Sequence, residues 1–445
     1  MNIEIGRTLN KRLKGNTSRA LSRNVSRNIK SDYIFCFLKN FDISSSIWVL
    51  YMVFKGMSLW QIGIVEGIYH LTSLLCEVPT GALADLLGRK KVILVGRIFS
   101  AISSLLCLFG GNMWNFALAF SISAIGQNLN SGSEEALVYD SMKELGQEER
   151  YIKVNGRLNV LIEIAQGIAT VLGGVIAEYS FAWCYIISVF VAFLALIPAL
   201  LFVEPKVKND NNQDKKATEL GSDPGRSIGV DEFSVLETKR KVFAILKDHF
   251  KVCIEIIRSD VDLRNILLYY PFVFTFHTIV FFYGQEFFSL AGLNKIEISM
   301  IMLFASMISI LGALSSERML SLFRHKARYV ASTLMGFGIL AMSRHNLIVS
   351  IIAFGIINYA NAVLYPIQSA AINELIPSKQ RATIISVNSM LFSVLMMILF
   401  PICGLVADHF DIHLAFFILG LLQLVIMVVL DRKKRKDNNM NITKA

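Results

Sequence analysis

Charge is what this 445-residue chain has least of. Only 18% of its residues are Asp, Glu, Lys or Arg, while 54% are apolar. Soluble domains usually carry about 25% charge and 45–50% apolar residues, so an ordinary soluble protein is excluded. Cysteine is sparse too. Cys36, Cys76, Cys107, Cys184, Cys253 and Cys403 are scattered singly, mostly within apolar runs. Without paired or metal-type spacing, neither a disulfide scaffold nor a zinc module can be built from them. There is no Gly-rich phosphate loop ending in Lys-Ser or Lys-Thr and no nucleophile–base spacing. ATP hydrolysis and intramembrane catalysis therefore have no support, and the reading is of a non-enzyme with no cofactor and no metal.

What is present is length in apolar runs. About 20 mainly apolar residues cross the ~30 Å hydrocarbon core of a bilayer. Six such runs fall at roughly 33–55, 61–84, 92–110, 113–139, 153–177 and 181–203, and six more at 264–288, 296–316, 328–343, 347–369, 383–407 and 412–430. The ninth is the shortest. An all-α membrane protein of twelve spans in two six-helix bundles follows. The divisions expected are a basic arm (1–32), a first bundle (33–203), a central loop (204–262), a second bundle (263–430) and a basic tail (431–445).

The formal charge of +10 invites a nucleic-acid reading until the basic residues are placed. With both termini on one side, that side holds 37 of the 44 Lys and Arg. The other side holds Lys55, Lys295 and Arg344. Basic connections mark the cytoplasmic face, so the excess is an orientation signal, both termini are cytoplasmic, and no nucleic-acid partner is expected. The first 30 residues, with eight basic and one acidic, read as an arm on anionic lipid or as an amphipathic targeting segment. In the central loop, 205–231 is a polar linker. Over 233–259, Leu236, Val242, Phe243, Leu246, Phe250, Cys253, Ile256 and Ile257 recur at helical spacing. That helix lies on the membrane surface or packs on the protein's own face.

The halves echo each other. Gly81-Ala82-Leu83-Ala84-Asp85-Leu86-Leu87-Gly88-Arg89-Lys90-Lys91 ends span 2, and a degraded counterpart, Gly312-Ala313-Leu314-Ser315-Ser316-Glu317-Arg318, ends span 8. Parallel six-span repeats are one way transporters build two bundles that rock about a midplane site. The segment resembles the loop 2–3 signature of the major facilitator superfamily, with Gly81, Leu83, Ala84, Asp85, Gly88, Arg89 and Lys90 matching and Leu86 replacing the usual Arg. The resemblance covers about 33–430. Glu77 to Thr80 and Asn130 to Leu137 look like bacterial drug and macrolide exporters of that family.

The resemblance implies a cytoplasmic gate. Gly81 would let span 2 approach a neighbour closely. Asp85, placed where a helix C-terminus disfavours a carboxylate, would meet the start of span 11 at Arg381, and Arg89 would meet Asp140. The family's span 5 antiporter pattern is partly kept: Gly156, Gly173 and Gly174 match, Ala165 and Ala169 replace two glycines, and Thr170 replaces the helix-bending proline. The family's Arg before the Gln of span 4 is missing, leaving Ala124-Ile125-Gly126-Gln127. Lys39, Arg97 or Arg157 would have to take its place.

Ionisable groups inside spans are costly and mark function by default. In span 1, Lys39, Asp42 and Ser46 fall at helical spacing, as do Glu66, His70, Ser73 and Glu77 in span 2. Gln127, Asn130 or Ser131, and Glu134 do so in span 4, and Asn159, Glu163, Gln166 and Thr170 in span 5. Each set is read as one polar face of one helix. At 1.5 Å per residue, Asp42 and Glu163 lie roughly 15 Å from their cytoplasmic ends, near the midplane, and are the expected proton-responsive pair. The competing reading has them in structural ion pairs, Asp42 with Lys39 and Glu163 with Arg97. Spans 7–12 hold few such groups beyond Glu286, His277 and Gln285. Their Phe272, Phe274, Phe276, Phe281, Phe282, Tyr359 and Tyr365 suggest an adaptable apolar surface, or ordinary packing. The expectation is a monomeric secondary transporter of the cell membrane, exchanging protons for a small lipophilic compound and contacting lipid. A proton-coupled nutrient importer, a lipid flippase and a receptor on the same scaffold are the alternatives.

Overall fold

The computed structural model describes residues 25–205, 261–375 and 381–442. Residues 1–24 of the N-terminal arm and residues 206–260, with the amphipathic segment over 233–259, lie outside them. Every expected span carries helix. Span 2 runs Leu59–Leu87, span 3 Arg89–Phe109, span 4 Met113–Glu144 and span 5 Tyr151–Tyr179. Span 6 is split into Phe181–Leu194 and Leu196–Leu200. Spans 7 to 12 are Val261–Leu290, Lys295–Phe323, Ala327–Met342, Leu347–Leu375, Arg381–His409 and Ile412–Ile442. The last helix runs through the basic cluster that the sequence assigns to a tail.

Local chemistry sets the ends. Ser58 and Gln61 form a reciprocal capping box at the start of span 2, and Asn294 and Glu297 form another at span 8. Between spans 2 and 3 the chain turns at Gly88, whose φ of +86° suits a residue without a β-carbon.

Span 1 departs from the sequence reading. Its first helix covers 25–40, the backbone is unwound through Phe41–Ile47, and helix resumes over Trp48–Phe54. Lys39, Asp42 and Ser46 therefore do not share one helical face. The cause is the run Asp42-Ile43-Ser44-Ser45-Ser46, whose short polar side chains compete for backbone groups. Asp42 Oδ1 accepts from the Ser44 amide at 3.0 Å and the Ser44 hydroxyl at 2.7 Å. Ser45 Oγ donates to the Asp42 carbonyl at 2.7 Å.

Among the described residues, eight helices are long and apolar enough to cross a membrane. Spans 1, 2, 4 and 9 fall short. Span 9 has 16 residues, span 1 is broken, and spans 2 and 4 carry polar faces.

The halves meet as span 2 against span 11 and span 5 against span 8. Contact is tightest on the side opposite the termini, the far side. A β-carbon on Gly63 would lie 2.6 Å from Pro401 Cα, and one on Gly404 would collide with the Leu59 carbonyl. Tyr283 Oη donates to the Leu59 and Phe400 carbonyls at 2.8 and 3.2 Å. The Asp408 carboxylate accepts from the amides of Leu59 and Trp60 at 2.9 and 2.7 Å, capping span 2 from the other half. Towards the terminal side, Gly81, Gly132 and Gly156 face open space. Among the described residues nothing approaches Gly81 closely, and the side chains at the start of span 11 lie outside them. On that side Ser386 Oγ donates across the halves to Glu77 Oε1 at 3.4 Å.

Filling the far-side contact should open it. Gly63→Leu forces about 1–3 kcal/mol of overpacking onto Pro401. In a background of Cys107→Ser with Thr278→Cys, the introduced thiol should then react about tenfold faster with a reagent applied from the far side. An unchanged rate would show that Gly63 does not hold the far side closed.

Candidate functional site

The unwound stretch of span 1 borders a cavity of about 530 Å³. Span 1 lines it with Lys39, Asp42 and Trp48, span 2 with Glu66, Tyr69 and His70, span 3 with Arg97, Ser100, Ser103 and Ser104. Span 4 adds Phe120, Ser123 and Gln127, and span 5 adds Gln166. The second half contributes Thr278, Phe282 and Phe392. Its remaining aromatic residues mostly pack: Phe276 is buried, the Phe281 and Phe354 rings stack 6.0 Å apart, and Tyr359 Oη bonds to Ser315 Oγ at 2.7 Å. His277 Nε2 pairs with Asn358 Oδ1 at 3.1 Å inside the second bundle.

Asp42 is held by hydroxyls and an amide rather than by Lys39. Ser188 Oγ of span 6 donates to Asp42 Oδ1 at 2.9 Å, adding to the two bonds from Ser44. Lys39 instead forms an ion pair with Glu134 of span 4, and both side chains are largely shielded. Arg97, only 6% exposed, lies in the field of Asp42 and Glu134, and its Nε meets no hydrogen-bond partner. Of Lys39, Asp42, Arg97 and Glu134, only Lys39 and Glu134 are directly joined. Glu66 and His70 stand 3.5 Å apart one turn along span 2, with the imidazole edge-on to Phe392 of the other half.

Glu163 sits elsewhere. It is exposed and absent from the cavity lining, one turn from Gln166 towards the terminal side. Arg97 faces Asp42 and Glu134 rather than Glu163, which removes the expected alternative pairing.

The span 5 glycines serve the break in span 1. A β-carbon on Gly173 would lie 2.5 Å from the Ile43 carbonyl, and one on Gly174 would collide with Ser299 of span 8. Ser46 Oγ donates to the Thr170 carbonyl at 3.3 Å. Ala165 and Ala169 are fully buried. Gly156, by contrast, contacts nothing within 4 Å.

The loop 2–3 segment ties the first half to itself. Arg89 donates to the Asp140 carboxylate and the Ala136 carbonyl of span 4. Lys90 Nζ donates to the Leu200 carbonyl at the end of span 6, 2.9 Å away. Glu204 accepts from the amides of Arg89 and Lys90 at 2.8 and 3.1 Å, a carboxylate on the positive N-terminus of span 3. The side chains of Asp85 and Arg381 lie outside the described part.

Sequence reasoning misses several of these groups. Ser44, Ser188 and Glu204 carry no pattern of their own. Asp32 falls within the arm by sequence, yet it is 1% exposed, near Lys39 and Glu134, and neither of its oxygens meets a hydrogen-bond partner. It lies seven residues before Lys39, two helical turns, and that spacing is the available signal. Ser100, Ser103 and Ser104 of span 3 are equally legible as one polar face.

Residues 33–343 and 324–443 match the Major Facilitator Superfamily. The chain belongs to the major facilitator superfamily. It is similar to the inner membrane transport protein YajR of Escherichia coli, 31% identical over 127 residues, 28% of this chain and 27% of that protein. The uncharacterized MFS-type transporter YxaM of Bacillus subtilis is 22% identical over 409 residues, 90% of this chain and 94% of that one. Among solved structures, a mutant form of the nucleoside transporter NupG superposes with a TM-score of 0.70 at 14% identity, covering 91% of this chain and 99% of the other. That likeness is one of fold. The protein is a membrane transporter of the MFS type.

Removing one member of the Lys39–Glu134 pair leaves a shielded, uncompensated charge, at a cost of about 3 kcal/mol. Lys39→Ala should lower the thermal unfolding temperature, and adding Glu134→Gln should recover more than half of the loss. If the double variant is no more stable than the single, the pair contributes nothing of its own.

Proposed function

We propose that this transporter exports a small lipophilic compound in exchange for protons, working as a monomer in contact with membrane lipid. The observation that carries the reading is the composition of one cavity. Asp42 and Glu66 line it beside Arg97, among the rings of Trp48, Tyr69, Phe120, Phe282 and Phe392. Carboxylates that exchange protons with a wet cavity, surrounded by apolar surface, suit coupled movement of a lipophilic solute.

With the termini cytoplasmic, as the basic connections indicate, the far side is external and the conformation faces the cytoplasm. In the exchange cycle Asp42 gives up its proton on that side and the solute enters. Outward opening separates Gly63 from Pro401 and Asp408 from the start of span 2. The terminal side then closes, with Gly81 packing against its neighbour and Asp85 meeting the start of span 11 near Arg381. Glu163, one turn from Gln166 towards the terminal side, hands protons to the cytoplasm.

A second reading has one specific support. Ser100, Ser103, Ser104, Ser123, Gln127 and Gln166 give the same cavity a hydrogen-bonding wall, which suits a hydrophilic nutrient taken up with protons.

Cells expressing the protein should accumulate less of several lipophilic dyes and antibiotics, and a protonophore should abolish the difference. Asp42→Asn should remove the effect while the protein remains in the membrane. Unchanged accumulation across the panel, with proton-driven uptake of a sugar or nucleoside, would replace export by import.

A further inference from the structure

A second cluster of chemistry-bearing side chains lies on the far side of the second half, away from the cavity. His345 is in the connection between spans 9 and 10, and Asp411 and His413 stand at the start of span 12. One donor atom of each lies within 4.8 Å of the other two. The two imidazole rings have centroids 3.9 Å apart and an interplanar angle of 38°. His345 is exposed, so an ion can reach the cluster from the external solution.

Packing and capping account for only part of this arrangement. Asp411 caps span 12, since its Oδ1 accepts from the His413 amide at 3.1 Å and its carbonyl accepts from the Ala415 amide at 3.1 Å. A carboxylate retains further lone pairs after one such bond. His413 is wedged against Phe287, with ring centroids 4.9 Å apart; the Ser343 backbone lies beside the ring, while its buried Nδ1 meets no hydrogen-bond partner. A polar atom in that condition is costly unless something binds it.

We propose that His345, Asp411 and His413 bind a divalent transition-metal ion of the Zn²⁺ class, with water in the fourth position. Two imidazoles and one carboxylate form a donor set of three protein ligands, as in zinc sites that keep an open position. Tetrahedral bonds of that kind hold ligand atoms roughly 3.4 Å apart, a contraction that small side-chain rotations achieve from the present spacing. The nitrogen donors favour Zn²⁺ over Ca²⁺ or Mg²⁺, which prefer all-oxygen sites. Bound there, the ion links the end of span 9 to the start of span 12.

The test uses the full chain, purified without a histidine tag in lipid nanodiscs and titrated calorimetrically with Zn²⁺, with Ca²⁺ as the control. One Zn²⁺ per chain should bind, the unfolding temperature should rise with Zn²⁺, and Ca²⁺ should do neither. Because neutral imidazole is the ligating form, affinity should fall on acidification. His345→Gln and His413→Gln should each weaken binding about tenfold or more, while His409→Gln should leave it intact. His345 is exposed, so His345→Gln tests the site without disturbing packing. No Zn²⁺ binding by the native chain, or binding unchanged in both His345→Gln and His413→Gln, would overturn the assignment. Neither result bears on the cavity or on proton exchange.

Discussion

Inside a bilayer every backbone amide and carbonyl must find its partner within the protein. The break in span 1 is where that constraint is hardest to meet, and much of the first half is arranged around it. Between Phe41 and Ile47 the helical ladder is gone. The Asp42 carboxylate replaces part of it by accepting from Ser44, and Ser188 of span 6 closes the shell from outside. Span 5 must then come close enough to receive the exposed Ile43 carbonyl and the Ser46 hydroxyl, which only residues as small as Gly173 allow. A glycine pattern that reads as generic helix packing thus fits one specific irregularity. The break also turns Asp42 from one member of a helical stripe into a fixed acceptor at the edge of the cavity.

The halves divide the work unequally. The first gathers almost all the ionisable groups of the cavity, and spans 7 and 11 close it with a threonine and two phenylalanines. Its charges are not simply matched in pairs. Lys39 joins Glu134, while Arg97 is left in the field of two acids with a nitrogen unsatisfied. The loop 2–3 segment, with Glu204, binds spans 3, 4 and 6 into one body through Arg89 and Lys90. Rigid halves are what rocking about a midplane site requires.

Legibility in the sequence followed the range of the interaction. Span positions were readable because the hydrophobic requirement is local and repeats over about 20 residues. Glu66 and His70 could be placed on one face of span 2 because that helix is continuous. The same reasoning failed at Asp42, where the aspartate and serines compete with the helix and the period breaks. It failed again for Glu163, whose depth in its span says nothing about which way the cavity opens. Asp32 was lost among basic residues because span 1 begins as helix well before its apolar run does.

By itself the sequence carried the apolar spans, the uneven distribution of the basic residues between connections, the family signature and the list of costly intramembrane charges. Each is a property of residues close together in the chain. Only the tertiary structure decided which charges meet. Lys39 and Glu134 are 95 residues apart, and Asp42 and Ser188 are 146 apart. It also decided that the halves meet tightly on the far side, through Gly63, Pro401 and Asp408. Those outcomes depend on how helices distant in sequence pack, and the spacing of residues along any one span carries no record of that.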